Sequence, residues 1–208
     1  MLRVYDNVVS ADDLNKIKKM WDTVANTMGL VDKFYIDDQL HMERTVINDH
    51  FPDMYRFCKT LINFNIPNKI HYGKIIFTRV HIPSPTHVDV DEAGAPGFTV
   101  IIPLTFHDEI KTIVWKDKFD DNSKFSKFKD DFVKNSKSSV RLNSITKEAN
   151  LSHLLEIDDV NIGEVMELDG YAKWQKGSII VFDKTQVHCS SDFRQHLPFK
   201  DYVLVHTP

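Results

Sequence analysis

The sequence predicts a mostly β protein with flanking helices, of the α+β class, whose antiparallel strands form a sandwich or barrel. From residue 71 onward, short runs of β-branched and aromatic residues alternate with Pro- and Gly-containing turns. Two earlier stretches carry apolar residues at helical spacing. The chain has 208 residues, enough to bury a core. We therefore expect one domain over 1–208, with a helical or mixed supporting region at 1–70 and a β core at 71–206.

Two helices are predicted in the supporting region. Ser10 and Asp13 have the spacing of a helix cap, and they predict a helix over about 10–27. Apolar residues follow the cap at helical spacing, namely Leu14, Ile17, Trp21 and Val24. A second apolar stripe predicts a helix over 51–62. We interpret both stripes as core packing.

Strands are predicted in the β-rich region wherever β-branched and aromatic residues cluster. They fall at 74–81, 97–104, 112–116, 163–168, 177–183 and 201–206. A charged insert at about 117–150 separates two groups of strands. Its phenylalanines at 125, 128 and 132 lie on one helical face, which leaves two interpretations open. The insert is either a lid over a site or a surface helix packed on the sheet.

Composition limits the classes of protein to consider. No apolar run approaches the roughly 18 residues that span a bilayer, and the amino terminus lacks the apolar core of a signal peptide. We therefore expect a cytoplasmic protein with no membrane contact and with Cys58 and Cys189 reduced. The formal net charge is −4 and no patch combines basic and aromatic residues, so a nucleic-acid partner is not expected.

A possible metal site begins at the segment PTHVDVD, residues 85–91. Alternate side chains of a strand share a face, so His87 and Asp89 can approach one cation. His-x-Asp alone is a weak signal, because a histidine at a strand end is more often only hydrogen-bonded. The segment 176–188 strengthens the signal, because a glycine turn and an apolar strand lead there to His188, a third candidate ligand. Asp91 is the alternative carboxylate by the same alternation.

The segments HVD at 87–89 and KGSIIVFDKTQVH at 176–188 resemble those of Fe(II)/2-oxoglutarate-dependent dioxygenases, especially prolyl-hydroxylase-like members. The resemblance implies a double-stranded β-helix, a jelly-roll or cupin-like core, over 71–206. It also implies Fe(II) bound by His87, Asp89 and His188, with 2-oxoglutarate as co-substrate and O2 as oxidant. The implied reaction couples oxidative decarboxylation of 2-oxoglutarate to hydroxylation of a small-molecule or peptidyl substrate, with a peptidyl or free amino-acid substrate as the first guess.

The resemblance further implies a cation for the far carboxylate of 2-oxoglutarate. Lys200 heads the predicted final strand, whereas Arg194 lies in a polar loop, so we favour Lys200 and keep Arg194 as the alternative. The family more often uses arginine in this role, whose fork binds a carboxylate bidentately. Arg79 shares strand parity with the histidine-aspartate motif. It either reaches the pocket or forms a surface salt bridge.

Two other classes of function remain open. Two histidines and a carboxylate also suit a catalytic zinc ion, so a cupin-like metallohydrolase or isomerase is the alternative enzyme. The other alternative is a non-catalytic jelly-roll binding module with incidental histidines. We expect the segments 91–97 and 117–150 to shape the mouth of any site, because this fold leaves substrate choice to its loops.

Overall fold

A computed structural model describes residues 1–27, 29–36, 38–66, 73–84, 89, 97–118 and 168–207. These residues are mostly antiparallel β-strand with two helices, so the predicted α+β class is confirmed. The elements are β1 Arg3–Tyr5, α1 Ala11–Ala25, β2 Asp32–Ile36, β3 Gln39–Val46, α2 Pro52–Asn65, β4 Lys74–Val80, β5 Phe98–Pro103, β6 His107–Lys118, β7 Leu168–Trp174, β8 Ile179–Asp183, β9 Gln186–Ser190 and β10 Lys200–His206.

The strands form two sheets. The larger has seven strands in the order β1-β8-β5-β10-β4-β3-β2, and the smaller has three in the order β7-β6-β9. Strands that follow one another in the sequence can lie in different sheets. β8 pairs with β1 and β5 in the large sheet, whereas the next strand, β9, pairs with β6 in the small sheet. A chain that passes repeatedly from one sheet to the facing one winds a jelly roll.

Each helix begins where its sequence provides a start. The hydroxyl of Ser10 accepts a hydrogen bond of 3.1 Å from the backbone N–H of Asp13, and α1 follows. Pro52 occupies the first turn of α2, where its missing N–H would have had no helical partner. Both predicted helices are confirmed, with ends shifted by one to three residues.

The seven-stranded sheet is covered on both faces. On one face the helices pack against it: the ring centroids of Trp21 in α1 and Phe77 in β4 lie 5.7 Å apart. The other face packs against the small sheet, where Trp174 lies 5.4 Å from Tyr202. Successive side chains of β10 therefore serve different layers: Tyr202 faces the small sheet, and Val203 faces the helices.

A tight connection fixes the position of β9. The carboxylate of Asp183 accepts hydrogen bonds from the backbone N–H of Thr185 at 3.0 Å and from its hydroxyl at 2.7 Å. These bonds close a two-residue turn between β8 and β9. Because the turn is short, His188 lies in the middle of β9, next to the end of β8.

Several elements differ from the prediction. β2 and β3 were not predicted, because in β3 polar residues occupy both faces and the apolar alternation is weak. β9 was not predicted as a strand of its own, and β6 extends beyond the predicted 112–116. The helix in the insert and most of the predicted strand 163–168 lie outside the described residues.

Two further expectations concern the membrane and the cysteines. In the described ranges, no helix combines the length and apolarity needed to cross a bilayer. Cys58 and Cys189 are both buried and carry no disulfide. Burial raises the pKa of the Cys58 thiol to about 12, which makes it a poor nucleophile.

Candidate metal and co-substrate site

Asp89 and His188 meet at the edge of the space between the sheets. The Nε2 atom of His188 lies 3.3 Å from the Oδ2 atom of Asp89, and the two side chains are 7% and 11% exposed. His87 and Asp91 lie outside the described residues. In the part of the chain that the structure describes, no three His, Cys, Asp or Glu side chains form a metal-binding group. The structure thus brings together two of the three predicted ligands.

The imidazole of His188 has a defined orientation. Its Nδ1 atom lies 3.0 Å from the carbonyl oxygen of Gln186. A carbonyl oxygen only accepts, so Nδ1 carries the proton of this hydrogen bond. In the neutral ring, Nε2 is then the nitrogen with the lone pair, and it faces Asp89. The Phe182 ring packs against the imidazole at 4.6 Å between centroids and restricts its rotation.

Two hydrogen bonds hold Asp89. Its backbone N–H donates to the carbonyl oxygen of Lys184 at 3.1 Å, which ties it to the β8–β9 turn. Its Oδ2 atom accepts a hydrogen bond of 2.7 Å from the Thr99 hydroxyl on β5. Both contacts leave the carboxylate directed at His188.

This pair suits a cation. A neutral imidazole nitrogen and a carboxylate oxygen both offer electron pairs, and at 3.3 Å they repel unless a proton or a metal ion lies between them. Nitrogen and oxygen donors of this kind bind Fe(II) or Zn²⁺. A hydrogen bond at the distal nitrogen, as His188 makes to Gln186, is typical of metal-binding histidines.

Lys200 begins β10, as its sequence position predicts, and its ammonium lies between the two sheets. Its Nζ atom is 2.5 Å from the Ser190 hydroxyl. The ring centroids of Trp174, Phe193 and Tyr202 lie 4.2, 5.3 and 5.9 Å from Nζ. No carboxylate among the described residues forms an ion pair with it. Burial lowers the pKa of this ammonium to about 7.

Lys200 and His188 are connected through β9. Ser190 follows His188 by two positions on this strand, so both side chains project from the same face about 6.7 Å apart. The Lys200 ammonium contacts Ser190 from the opposite sheet. The Lys200 ammonium therefore lies beside the position two residues along β9 from His188.

The two arginines have other partners. Arg194 donates to the Asp192 carboxylate from Nε at 3.0 Å and from a terminal nitrogen at 2.7 Å. Arg79 forms a bidentate pair with Asp201, with both distances at 2.8 Å. Asp201 follows Lys200 on β10 and projects to the opposite, helix-covered face, where Arg79 also lies 5.6 Å from the Trp21 ring. Arg79 and Lys200 therefore occupy different faces of the same sheet.

Sequence reasoning missed several residues around Lys200 and Asp89. Ser190 shares the face of His188, but only if β9 is recognised as a strand that continues past the histidine. Tyr202 shares the face of Lys200 by the alternation of β10, and that signal was available. Trp174, Phe193 and Thr99 approach from separate elements, and no local pattern connects them with the site.

Comparison with known proteins identifies the fold. No protein-family profile and no curated protein sequence matches the chain. Solved structures do match, over 99% of the chain. The epimerase SnoN in complex with Fe3+, alpha ketoglutarate and nogalamycin RO has a TM-score of 0.59 and 10% identity, over 78% of its own chain. EctD from S. alaskensis, solved with 2-oxoglutarate and 5-hydroxyectoine, has a TM-score of 0.54 and 12% identity, over 71% of its chain.

A third similar structure is a prolyl hydroxylase from Trichoplax adhaerens in complex with a hypoxia-inducible-factor peptide fragment. Its TM-score is 0.51 and its identity 6%, over 82% of that chain. At such identities the likeness shows a shared fold. The predicted double-stranded β-helix is confirmed.

Proposed function

We propose that this protein is an Fe(II)/2-oxoglutarate-dependent oxygenase that hydroxylates a small-molecule, amino-acid or peptidyl substrate. One observation carries the proposal: a buried lysine, with no carboxylate partner among the described residues, lies beside the strand that holds His188. A buried ammonium without a counter-ion costs stability, and a bound carboxylate would remove that cost. The shared fold and the sequence motifs agree with this function.

In this proposal His87, Asp89 and His188 hold the iron. Bound Fe(II) supplies the redox chemistry that couples loss of carbon dioxide from 2-oxoglutarate to oxidation of a substrate C–H bond. The chain's contribution is to prepare the ligands. Gln186 fixes the tautomer of His188, and Thr99 holds the carboxylate of Asp89.

Lys200 binds the far carboxylate of 2-oxoglutarate in this proposal. Its ammonium provides the charge, and the Ser190 hydroxyl, which donates to the carbonyl oxygen of Ser191, accepts from the ammonium and holds it in place. The rings of Trp174, Phe193 and Tyr202 exclude water around Nζ, which strengthens the ion pair. We assign no co-substrate role to Arg79 or Arg194, because both pair with aspartates.

Zinc hydrolysis explains less of the structure. The same ligands suit Zn²⁺, but a hydrolytic zinc site has no need for a buried ammonium next to the strand of its histidine. A non-catalytic binding module does not explain why Lys200 is buried or why the Asp89 and His188 side chains face each other.

Turnover tests the proposal. Protein purified without oxygen is loaded with Fe(II) or Zn²⁺, exposed to air with 2-oxoglutarate, and assayed for succinate. We expect slow succinate formation with iron, none with zinc, and none with iron in His188→Ala. Equal yields from the parent and His188→Ala, or no succinate from iron-loaded parent, would contradict the proposal.

A further inference from the structure

A row of polar side chains crosses the large sheet on the face that bears Lys200. Arg44 of β3 is the cross-strand partner of Thr78 on β4, and Thr78 is the partner of Tyr202 on β10. Residues directly opposite each other in a sheet project to the same face. Tyr202 packs against Trp174 of the small sheet, so the whole row faces the space between the sheets.

Arg44 is half-buried, and no carboxylate neutralises it within the described ranges. Its guanidinium carbon lies 4.3 Å from the centroid of the Phe34 ring. Asp32 is opposite Arg44 on β2, but the two side chains form no ion pair. Glu43, the preceding residue, projects to the other face and binds His81 at 3.0 Å. The guanidinium is thus positioned by an aromatic ring and retains its hydrogen-bonding capacity.

Thr78 provides a second polar group at the same place. It is 1% exposed, and its hydroxyl lies against the phenol of Tyr202 without forming a hydrogen bond of regular geometry in the described part of the chain. A buried hydroxyl whose hydrogen bond is poorly aligned can still donate to a ligand at the same place. The hydroxyl lies between Arg44 and Tyr202 in the row.

The row extends to the candidate iron ligands. Burial raises the pKa of Tyr202 and the negative charge of Asp89 raises it further, whereas the positive charge of Arg44 and the contact with the Thr78 hydroxyl lower it. Tyr202 therefore lies within electrostatic range of both Asp89 and Arg44. Arg44 thus lies on the face of the sheet that Tyr202 shares with the candidate site.

We propose that the substrate carries a carboxylate, which the guanidinium of Arg44 binds with the help of the Thr78 hydroxyl. This inference rests on the proposed function and names the substrate class. One planar guanidinium and one hydroxyl match the two oxygens of a carboxylate. The substrate that we infer is a free amino acid or another small carboxylic acid.

A comparison of acids with their amides tests this. Iron-loaded protein in air receives 2-oxoglutarate and, one at a time, the proteinogenic amino acids and the short mono- and dicarboxylic acids, each beside its primary amide. The readout is carbon dioxide released from 2-oxoglutarate above the rate without substrate. We expect at least one acid to stimulate release about tenfold more efficiently than its amide, because the amide removes the charge.

Variants assign the effect to the row. For the stimulating acid, Arg44→Gln should raise KM about tenfold or more, and Thr78→Val should raise it less, about fivefold. Arg56→Gln is the matched control, because Arg56 is an exposed arginine of α2 that pairs with Asp53. It should leave KM unchanged.

Other results would overturn the inference. It is wrong if no acid is preferred to its amide, or if Arg44→Gln and Arg56→Gln behave alike. It is also wrong if Arg44→Gln weakens 2-oxoglutarate binding as strongly as Lys200→Ala, because Arg44 would then bind the co-substrate. Absence of iron-dependent 2-oxoglutarate binding in the parent would instead remove the proposed function, and the inference with it.

Discussion

The ammonium of Lys200 lies 2.5 Å from the hydroxyl of Ser190, and this contact joins the first residue of β10 to the strand of the facing sheet that bears His188. Alternation then puts the charge two positions along β9 from the imidazole. The contact connects a candidate metal ligand with a candidate co-substrate anchor. Because Lys200 contacts Ser190 and not a candidate ligand, its role can be tested separately from that of the metal.

Replacing Lys200 should affect the co-substrate and spare the metal. Loss of one partner of a buried charged pair costs about 2–5 kcal/mol, so Lys200→Ala should weaken 2-oxoglutarate binding by well over tenfold. Lys200→Arg should retain part of the binding. Iron content should not change, because the ammonium contacts no ligand. Arg194→Ala is the control, and a loss in Arg194→Ala but not in Lys200→Ala would move the assignment to Arg194.

Binding of 2-oxoglutarate should depend on pH. The pKa of Lys200 is lowered to about 7, so the ammonium is protonated below that pH and neutral above it. A carboxylate binds the protonated form, so affinity should be greatest below about pH 7 and should fall by up to about tenfold per unit above it. Titrations between about pH 6 and 9 measure this. Lys200→Arg stays charged and should flatten the profile; a steep profile in both proteins would contradict the assignment.

The Thr99 hydroxyl should strengthen iron binding although it is not itself a ligand. Thr99→Val keeps the shape of the side chain and removes the hydrogen bond to Asp89 Oδ2. Loss of such a supporting contact typically costs about 10–100-fold in metal affinity. Competition with a chelator measures the iron dissociation constant. Thr105→Val, which removes a hydroxyl that accepts from the backbone of Asp201, is the control and should leave iron affinity unchanged.

Gly177 should be required for stability. Its φ is +80°, and a Cβ atom there would lie 2.7 Å from the carbonyl oxygen of Val9. Gly177→Ala combines backbone strain with this collision, and it should lower the free energy of unfolding by about 1–3 kcal/mol. Gly29→Ala has the same φ but no neighbouring atom within 4 Å, so it should cost less. Urea unfolding measures the free energy of unfolding of both variants. Equal losses would show that the surrounding backbone shifts to remove the collision at Gly177.

The sequence predicted the parts of the fold that have strong local signals. The cap at Ser10 and the apolar stripe after it predicted α1, and the apolar run at Ile179–Asp183 predicted β8. β3 escaped prediction because it has polar residues on both faces, with Glu43 on one and Arg44 on the other. Such a strand lacks the apolar alternation by which strands are recognised.

The site was partly predictable for a similar reason. Asp89, His188 and Lys200 follow from motifs and strand position. The distances between them depend on pairings across two sheets, such as β6 with β9, and these long-range contacts leave no local mark in the sequence. Arg79 illustrates the difference. The sequence showed that Arg79 occupies an odd-numbered position of its strand. Only the sheet shows that the odd-numbered positions of β4 face the helices.

Chelation of iron by the keto acid tests the central claim most directly. Addition of 2-oxoglutarate to the anaerobic Fe(II) protein should produce a visible charge-transfer absorption that saturates at one equivalent per chain. Asp89→Ala and His188→Ala should lose the iron and the absorption, whereas Asp91→Ala should keep both. Loss only in Asp91→Ala would show that the carboxylate ligand is wrong. A parent protein that binds iron and 2-oxoglutarate but shows no such absorption, or that binds neither, would contradict the account.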